Sequence, residues 1–107
     1  MIGSIVTVQV DRELGTYHPK YKELYYPINY GYIDGVIGGD GEEQDAYILG
    51  VNEPVSSFKG EVIAIVHRND ENEENWVVAA IGSKYTKEKI KELVHFQEQY
   101  FDSYIIM

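Results

Sequence analysis

Short apolar runs, broken by glycine, proline and acidic residues, limit the fold of this chain more than any other feature of its sequence. In the first run, from Ile5 to Val10, apolar residues at every second position alternate with Thr7 and Gln9. This alternation is typical of a half-buried β-strand. Further strands are predicted at residues 24–33, 45–51, 61–67 and 76–81. The chain is therefore expected to be mainly β.

Local composition adds detail to these predicted strands. Pro27 and Gly31 interrupt the second strand, which we expect to be short, bent or at a sheet edge. The fourth strand has a continuous apolar centre, which indicates burial on both faces. Glycine-rich and acid-rich segments predict turns or loops at residues 11–22, 34–44, 56–60 and 68–75.

One amphipathic helix is predicted near the C-terminus, with Thr86 as its N-cap and its end near Ser103. Its apolar residues share a stripe, and the charged residues largely outside that stripe are Lys87, Lys91, Glu98 and Asp102. The apolar tail 104–107 is expected to pack on the body of the protein or on another subunit. Several strands and one late helix predict a small twisted barrel with the helix against it, in a single domain over residues 1–107.

Composition narrows the classes of function. The net charge of −9 argues against a nucleic-acid-binding surface and against docking on anionic membranes. No apolar run approaches the roughly 20 residues that span a bilayer. With no cysteine and no signal peptide evident, we expect a cytoplasmic protein without thiolate chemistry.

The segment Asp-Gly-Glu-Glu-Gln-Asp at residues 40–45 carries the strongest chemical signal. It places the carboxylates of Asp40, Glu42 and Asp45 within six residues, next to glycines that allow tight backbone turns. Close carboxylates repel one another unless a cation lies between them, and oxygen ligands at this density suit Mg²⁺. The alternative is a solvated acidic turn in front of a strand.

A second motif lies upstream, where residues 26–33 read Tyr-Pro-Ile-Asn-Tyr-Gly-Tyr-Ile. In this order and at this spacing, the two motifs resemble the soluble inorganic pyrophosphatases of the first family. Their hallmark is Tyr-Pro-x-Asn-Tyr-Gly-Tyr, then Asp-x-Asp-x-x-Asp, then an apolar strand. The resemblance runs from about Val6 to Tyr104, with Glu42 in place of the second aspartate, and it implies a five-stranded OB-like barrel.

The resemblance also implies roles for the acidic residues. Asp40 and Asp45 match metal-ligating aspartates, and Glu42 matches the carboxylate that orients or deprotonates the attacking water. A further ligand aligns with Glu74, or with Glu73 if the register slips by one residue. The alternative for this acidic hairpin is a polar turn. Two divalent ions roughly 3.5–4 Å apart can hold a hydroxide and screen phosphate charge.

Three residues are candidates for contact with phosphate. Tyr30 and Tyr100 match phosphate-binding tyrosines of the family, and core packing is the alternative for both. Lys20 lies in the loop from which the family supplies an arginine. Charged family positions are replaced in this chain at Thr7, Gln9, Asn69, Trp76 (or Asn75 in the other register) and Phe101.

The expected activity is therefore Mg²⁺-dependent or Mn²⁺-dependent hydrolysis of inorganic pyrophosphate, weakened by these replacements. The alternative is a related protein that keeps the barrel, has lost most diphosphatase activity and binds another phosphorylated ligand. The apolar tail and the ten tyrosines predict a homo-oligomer.

Overall fold

Five strands of the protein close on themselves. The computed structural model describes residues 1–71 and 73–107. The strands are β1 (Ile5–Arg12), β2 (Tyr30–Ile37), β3 (Glu43–Ile48), β4 (Ser57–Arg68), β5 (Glu73–Ala79) and β6 (Ser103–Ile106), and the helix α1 (Lys87–Glu98) lies between β5 and β6. The barrel order is β1-β2-β3-β5-β4, and β4 pairs back onto β1. The mainly β barrel with one C-terminal helix is thus confirmed.

The twelve-residue strand β4 pairs both with barrel strands and with the strand formed by the C-terminal tail. Its first part, Ser57–Glu61, pairs with β1, and its last part, Ile65–Arg68, pairs with β6 on the same edge. Its other edge pairs with β5. All described pairings between named strands are antiparallel except that of β3 with β5.

Two apolar clusters divide the interior. One draws buried residues from all five barrel strands and fills the barrel, namely Val8, Ile33, Ala46, Ile48, Val62 and Val78. The other packs the outer face of β3, β4 and β5 against α1, through residues that include Tyr47, Val66, Val77, Ile90 and Val94. Side-chain alternation lets β3 and β5 supply both clusters. In β4, a register shift between Val62 and Ala64 moves the buried side chains from one cluster to the other. Residues on the outer face therefore lie under or beside the helix.

Gly31 allows the closest approach between β1 and β2. A Cβ atom at this position would lie 1.9 Å from the carbonyl oxygen of Gln9. The strand predicted at 24–33 begins only at Tyr30 and continues to Ile37, through part of the predicted loop. Pro27 precedes it, where its missing N–H breaks no ladder.

Two further predictions are corrected. The turn predicted at 56–60 lies almost wholly within β4, because Ser57–Gly60 pair with β1. The helix ends at Glu98 rather than near Ser103, and the tail forms β6 on the body of the protein. Strand 61–67 has buried residues on both faces as predicted, with Val62 inside the barrel and Ala64 and Val66 on the side of the helix. Asn72, in the predicted hairpin loop 68–75, lies outside the described residues.

Candidate active site

The β2–β3 hairpin turns tightly around its glycines. The N–H of Gly38 donates to the carbonyl oxygen of Glu42 at 2.7 Å, and Gly41 has a φ of +84°, which favours glycine. The side chain of Asp40 accepts a hydrogen bond from the N–H of Glu42 at 3.0 Å. This turn places Asp40 at the hairpin tip and Asp45 in β3.

The hairpin and the start of β5 enclose what we call the acidic crevice. Its lining residues are Gly38, Gly39, Asp40, Glu43, Gln44, Asp45, Glu73 and Glu74. The buried side chain of Gln44 donates to the carbonyl oxygens of Glu74 at 2.6 Å and Asp45 at 3.0 Å. Gln44 therefore ties the hairpin to β5, and carboxylates from both segments meet in one place.

Asp45 is half-buried in β3, on the same outer face as Tyr47. Burial raises the pKa of Asp45 to about 6, and the negative charges of Asp11 and Asp40 act in the same direction. The nearby Tyr30 hydroxyl and the positive charge of Arg68 lower this pKa in part. The ionised carboxylate is thus unfavourable in the metal-free protein, and a nearby cation would relieve that cost.

The adjacent residues Glu73 and Glu74 face opposite sides of β5. Glu74 approaches Nδ1 of His67 at 3.4 Å, whereas Glu73 lies 3.4 Å from Nη1 of Arg68. Hydrogen bonding to Glu71 and burial raise the pKa of Glu73 to about 7, and the negative charge of Asp40 contributes in the same direction. The charge of Asp40 at the hairpin tip therefore affects the protonation of Glu73.

The side chains of β5 also bear on the two registers left open by the sequence. Trp76 packs against the cluster inside the barrel, whereas Asn75 is buried on the helix-facing side with Tyr30. The register that aligns Glu73 with the family ligand also aligns Asn75 with the family lysine. In that register, both residues lie on the helix-facing side of β5, with Arg68 and Tyr30.

A hydrogen-bonded network lies beneath the helix, behind the acidic crevice. The carboxylate of Glu98 accepts hydrogen bonds from Tyr47 at 2.5 Å, from Arg68 at 3.0 and 3.2 Å, and from Asn75 at 3.3 Å. The hydroxyl of Tyr30 donates to Oδ1 of Asn75 at 2.9 Å. Glu98 and Arg68 are both buried, so the prediction that Glu98 lies outside the buried stripe is wrong.

The structure brings some of the predicted site residues together. Asp40, Asp45 and Glu74 line the acidic crevice. Tyr30 is not part of that lining, and its hydroxyl donates to Asn75, the neighbour of Glu74 in β5. Glu42 follows Asp40 in the exposed turn without lining the crevice.

Lys20 and Tyr100 do not line the acidic crevice. Lys20 is exposed, with its Nζ atom 5.4 Å from the centre of the Tyr21 ring. Tyr100 follows the helix with 68% of its surface exposed. The next residue, Phe101, packs at 3.7 Å under the guanidinium of Arg68. A cation therefore lies beside the aromatic ring that replaces the family lysine.

The acidic crevice has the donor chemistry of a hard-cation site. Its carboxylates are the oxygen ligands that Mg²⁺ prefers, and burial is the main reason for the raised pKa of Asp45, with a smaller contribution from the charge of Asp40. Across residues 1–71 and 73–107, no three His, Cys, Asp or Glu side chains already stand close enough to hold an ion. The residue types of the crevice nevertheless fit a hard divalent metal.

Sequence reasoning missed Arg68, Asn75, Glu98 and Gln44. For Glu98 a signal was present, because Ile90, Val94 and Glu98 are spaced by four residues and fall on one helix face. Arg68 and Asn75 were missed because the acidic residues between them predicted a loop over 68–75, whereas both residues belong to strands.

Two comparisons with known protein sequences match this chain to the same family. Residues 3–105 match the family model described as inorganic pyrophosphatase. The chain is similar to the inorganic pyrophosphatase of Bacillus sp. (strain PS3), with 25% identity over 94% of this chain and 71% of that protein.

Solved structures share the fold. An inorganic pyrophosphatase from Ehrlichia chaffeensis superposes with a TM-score of 0.73 and 14% identity, over 99% of this chain and 87% of that one. One from Neisseria gonorrhoeae gives a TM-score of 0.68 and 17% identity, over 92% and 74%. No helix among the described residues is long and apolar enough to cross a membrane.

Proposed function

This chain belongs to the inorganic pyrophosphatase family, and on that premise we propose that its acidic crevice hydrolyses inorganic pyrophosphate to two phosphates with Mg²⁺. The observation that carries the proposal is the meeting of hairpin and β5 carboxylates in one crevice. Mn²⁺, another hard divalent ion, would substitute for Mg²⁺.

The metal ligands in this proposal are Asp40, Asp45 and one glutamate of β5. We favour Glu73 for the third position over Glu74, because Glu73 lies on the face of Arg68 and Asn75 while Glu74 approaches His67. Divalent ions bound there would lower the pKa of the attacking water and screen the charge of pyrophosphate.

The chain's own residues act on the proton and on phosphate. Glu42 takes a proton from water, whose oxygen forms a bond to one phosphorus as the bond from that phosphorus to the bridging oxygen breaks. The second phosphate leaves with the bridging oxygen. No covalent intermediate with the protein forms. Tyr30 contacts phosphate from β2, and we assign Tyr100 and Lys20 to the same task from the loops that carry them.

Phosphate release from pyrophosphate, measured with and without Mg²⁺, tests this function. We expect hydrolysis that requires the metal and stops with EDTA. Absence of turnover at every Mg²⁺ concentration, with the metal still bound, would favour the alternative of a related protein that binds another phosphorylated ligand.

A further inference from the structure

The carboxylate of Glu98 is a buried charge at an unfavourable place. It belongs to the last residue of α1, where the helix dipole disfavours negative charge, and only 6% of the residue is exposed. A buried ion pair is often no more stabilising than apolar residues of similar size. Stability alone therefore gives little reason for its presence.

The first connection from Glu98 runs through Arg68 to the acidic crevice. The guanidinium donates two hydrogen bonds to the carboxylate of Glu98, at 3.0 and 3.2 Å. Phe101 packs against its face at 3.7 Å, so both the plane and the direction of the group are fixed. The remaining nitrogen, Nη1, lies 3.4 Å from Oε2 of Glu73 in the crevice lining.

The second connection runs through Asn75. Its Nδ2 donates to Glu98 at 3.3 Å, which fixes the orientation of the amide. The Oδ1 atom then faces β2 and accepts the hydroxyl proton of Tyr30 at 2.9 Å. Through these two links, the carboxylate of Glu98 is connected to Glu73 on β5 and to Tyr30 on β2.

We propose that Glu98 is a positioning residue that holds Glu73 and Tyr30 in place at the pyrophosphate site, through Arg68 and Asn75 respectively. The assignment rests on the proposed function for the roles of Glu73 and Tyr30. Glu98 itself touches neither substrate nor metal. The opposing explanation is that the Arg68–Glu98 pair only supports the packing of α1 on the barrel.

The decisive variant replaces the pair with apolar residues, Arg68→Met together with Glu98→Leu. Such replacements often preserve stability, so a packing role predicts wild-type turnover in a folded variant. Positioning predicts that kcat falls roughly 10- to 100-fold, as for lost partners of metal ligands, while KM changes far less. Glu92→Gln is the matched control, because it removes an exposed carboxylate of the same helix and should leave kcat unchanged.

A second readout does not depend on activity. Crystal structures of the wild type and the double variant should show the side chains of Glu73 and Tyr30 displaced in the variant. Unchanged positions would overturn the inference, as would a wild-type kcat in the folded double variant. Glu98→Gln provides both readouts if the double variant does not fold. A wild type without Mg²⁺-dependent hydrolysis would refute the proposed function, and the structural comparison would still decide the role of Glu98.

Discussion

At the scale of single residues, Asp45 makes the metal-free protein sensitive to pH. Its folded-state pKa of about 6 lies above the ordinary value of 3.8, so the folded state holds this proton more tightly than the unfolded state. The stability linked to that proton is fully present below about pH 3.8 and is lost as the pH rises through about 6. Glu73, with a pKa of about 7, acts in the same direction.

The free energy of unfolding in EDTA should therefore fall between about pH 4 and pH 7, and Asp45→Asn should make the fall smaller. Solvent screens part of the effect, so we expect a difference of about 1–2 kcal/mol. Urea unfolding at several pH values measures it. Parallel profiles for the variant and the wild type would contradict the raised pKa of Asp45.

Metal should reverse this instability. A ligand that binds only the folded state stabilises it by mass action, so Mg²⁺ or Mn²⁺ should raise the melting temperature of the wild type. Asp45→Asn should lose most of that rise, as measured by thermal unfolding across a metal titration. An equal rise in both proteins would remove Asp45 from the ligand set.

Glu42 allows a test of proton abstraction separate from packing. Its side chain lies in the exposed turn, so Glu42→Gln should leave the melting temperature unchanged. Loss of a general base typically costs about 10²- to 10⁴-fold in rate, and we expect kcat for pyrophosphate to fall in that range. Unchanged turnover in the variant would assign the base to another group.

Wild-type turnover should itself be measurable but weak. Losing one preorganised electrostatic contact often costs about 2.7–4 kcal/mol, and several charged family positions are neutral in this chain, among them Thr7, Gln9 and Asn69. The measurement is the rate of steady-state phosphate release under saturating Mg²⁺, compared with that of a family member that has charged residues at those positions. Equal turnover would show that other cations, such as Lys20 or Lys22, compensate.

Part of the acidic crevice was predictable, because Asp40 and Asp45 lie within six consecutive residues. Asp40 and Asp45 line it, whereas Glu42 from the same segment does not. The link to Glu74 or Glu73 came only from the family resemblance, because the acidic hairpin alone also fits a polar turn. Arg68 and Glu98 were not predictable in the same way. They are 30 residues apart, and only the packing of α1 on the end of β4 makes them partners.

At the scale of elements, α1 depends on its first turn. The side chain of Thr86 accepts a hydrogen bond from the N–H of Lys89 at 3.1 Å, as the predicted N-cap requires. Thr86→Ala should destabilise the protein by about 1 kcal/mol and lower the melting temperature by about 4–8 °C. Thr86→Ser is the control that retains the hydroxyl. An equal loss in both variants would assign the effect to the methyl group instead.

Element types were more predictable than element ends. Alternation identified β1, and helical spacing identified α1, because each pattern repeats over many residues. The four-residue β6 has no such repeat, and it forms because β4 continues past the first residue of β1 and offers an open edge. The start of β4 was missed for a related reason, since residues 57–60 become a strand only by pairing with β1.

At the scale of the whole molecule, apolar surface remains uncovered near the C-terminus. Tyr104, Ile106 and Met107 keep 48%, 39% and 51% of their surface exposed although β6 is paired to β4. Because water disfavours a clustered apolar surface, we expect a homo-oligomer that buries it. Light scattering at tens of micromolar should give a multiple of the chain mass, and Ile106→Glu should shift it toward one chain. A single-chain mass for the wild type would contradict this prediction.

The place of β5 between β3 and β4 also sets an order of assembly. β1, β2 and β3 are consecutive neighbours and can pair as they leave the ribosome, but β3 must then wait for a partner that begins 25 residues after its own end. The barrel cannot be complete until residue 79 has emerged, and its closure joins segments about half the chain apart. Such long-range closure is slow compared with local pairing. During synthesis, the acidic hairpin is therefore exposed before the strand that completes its crevice exists.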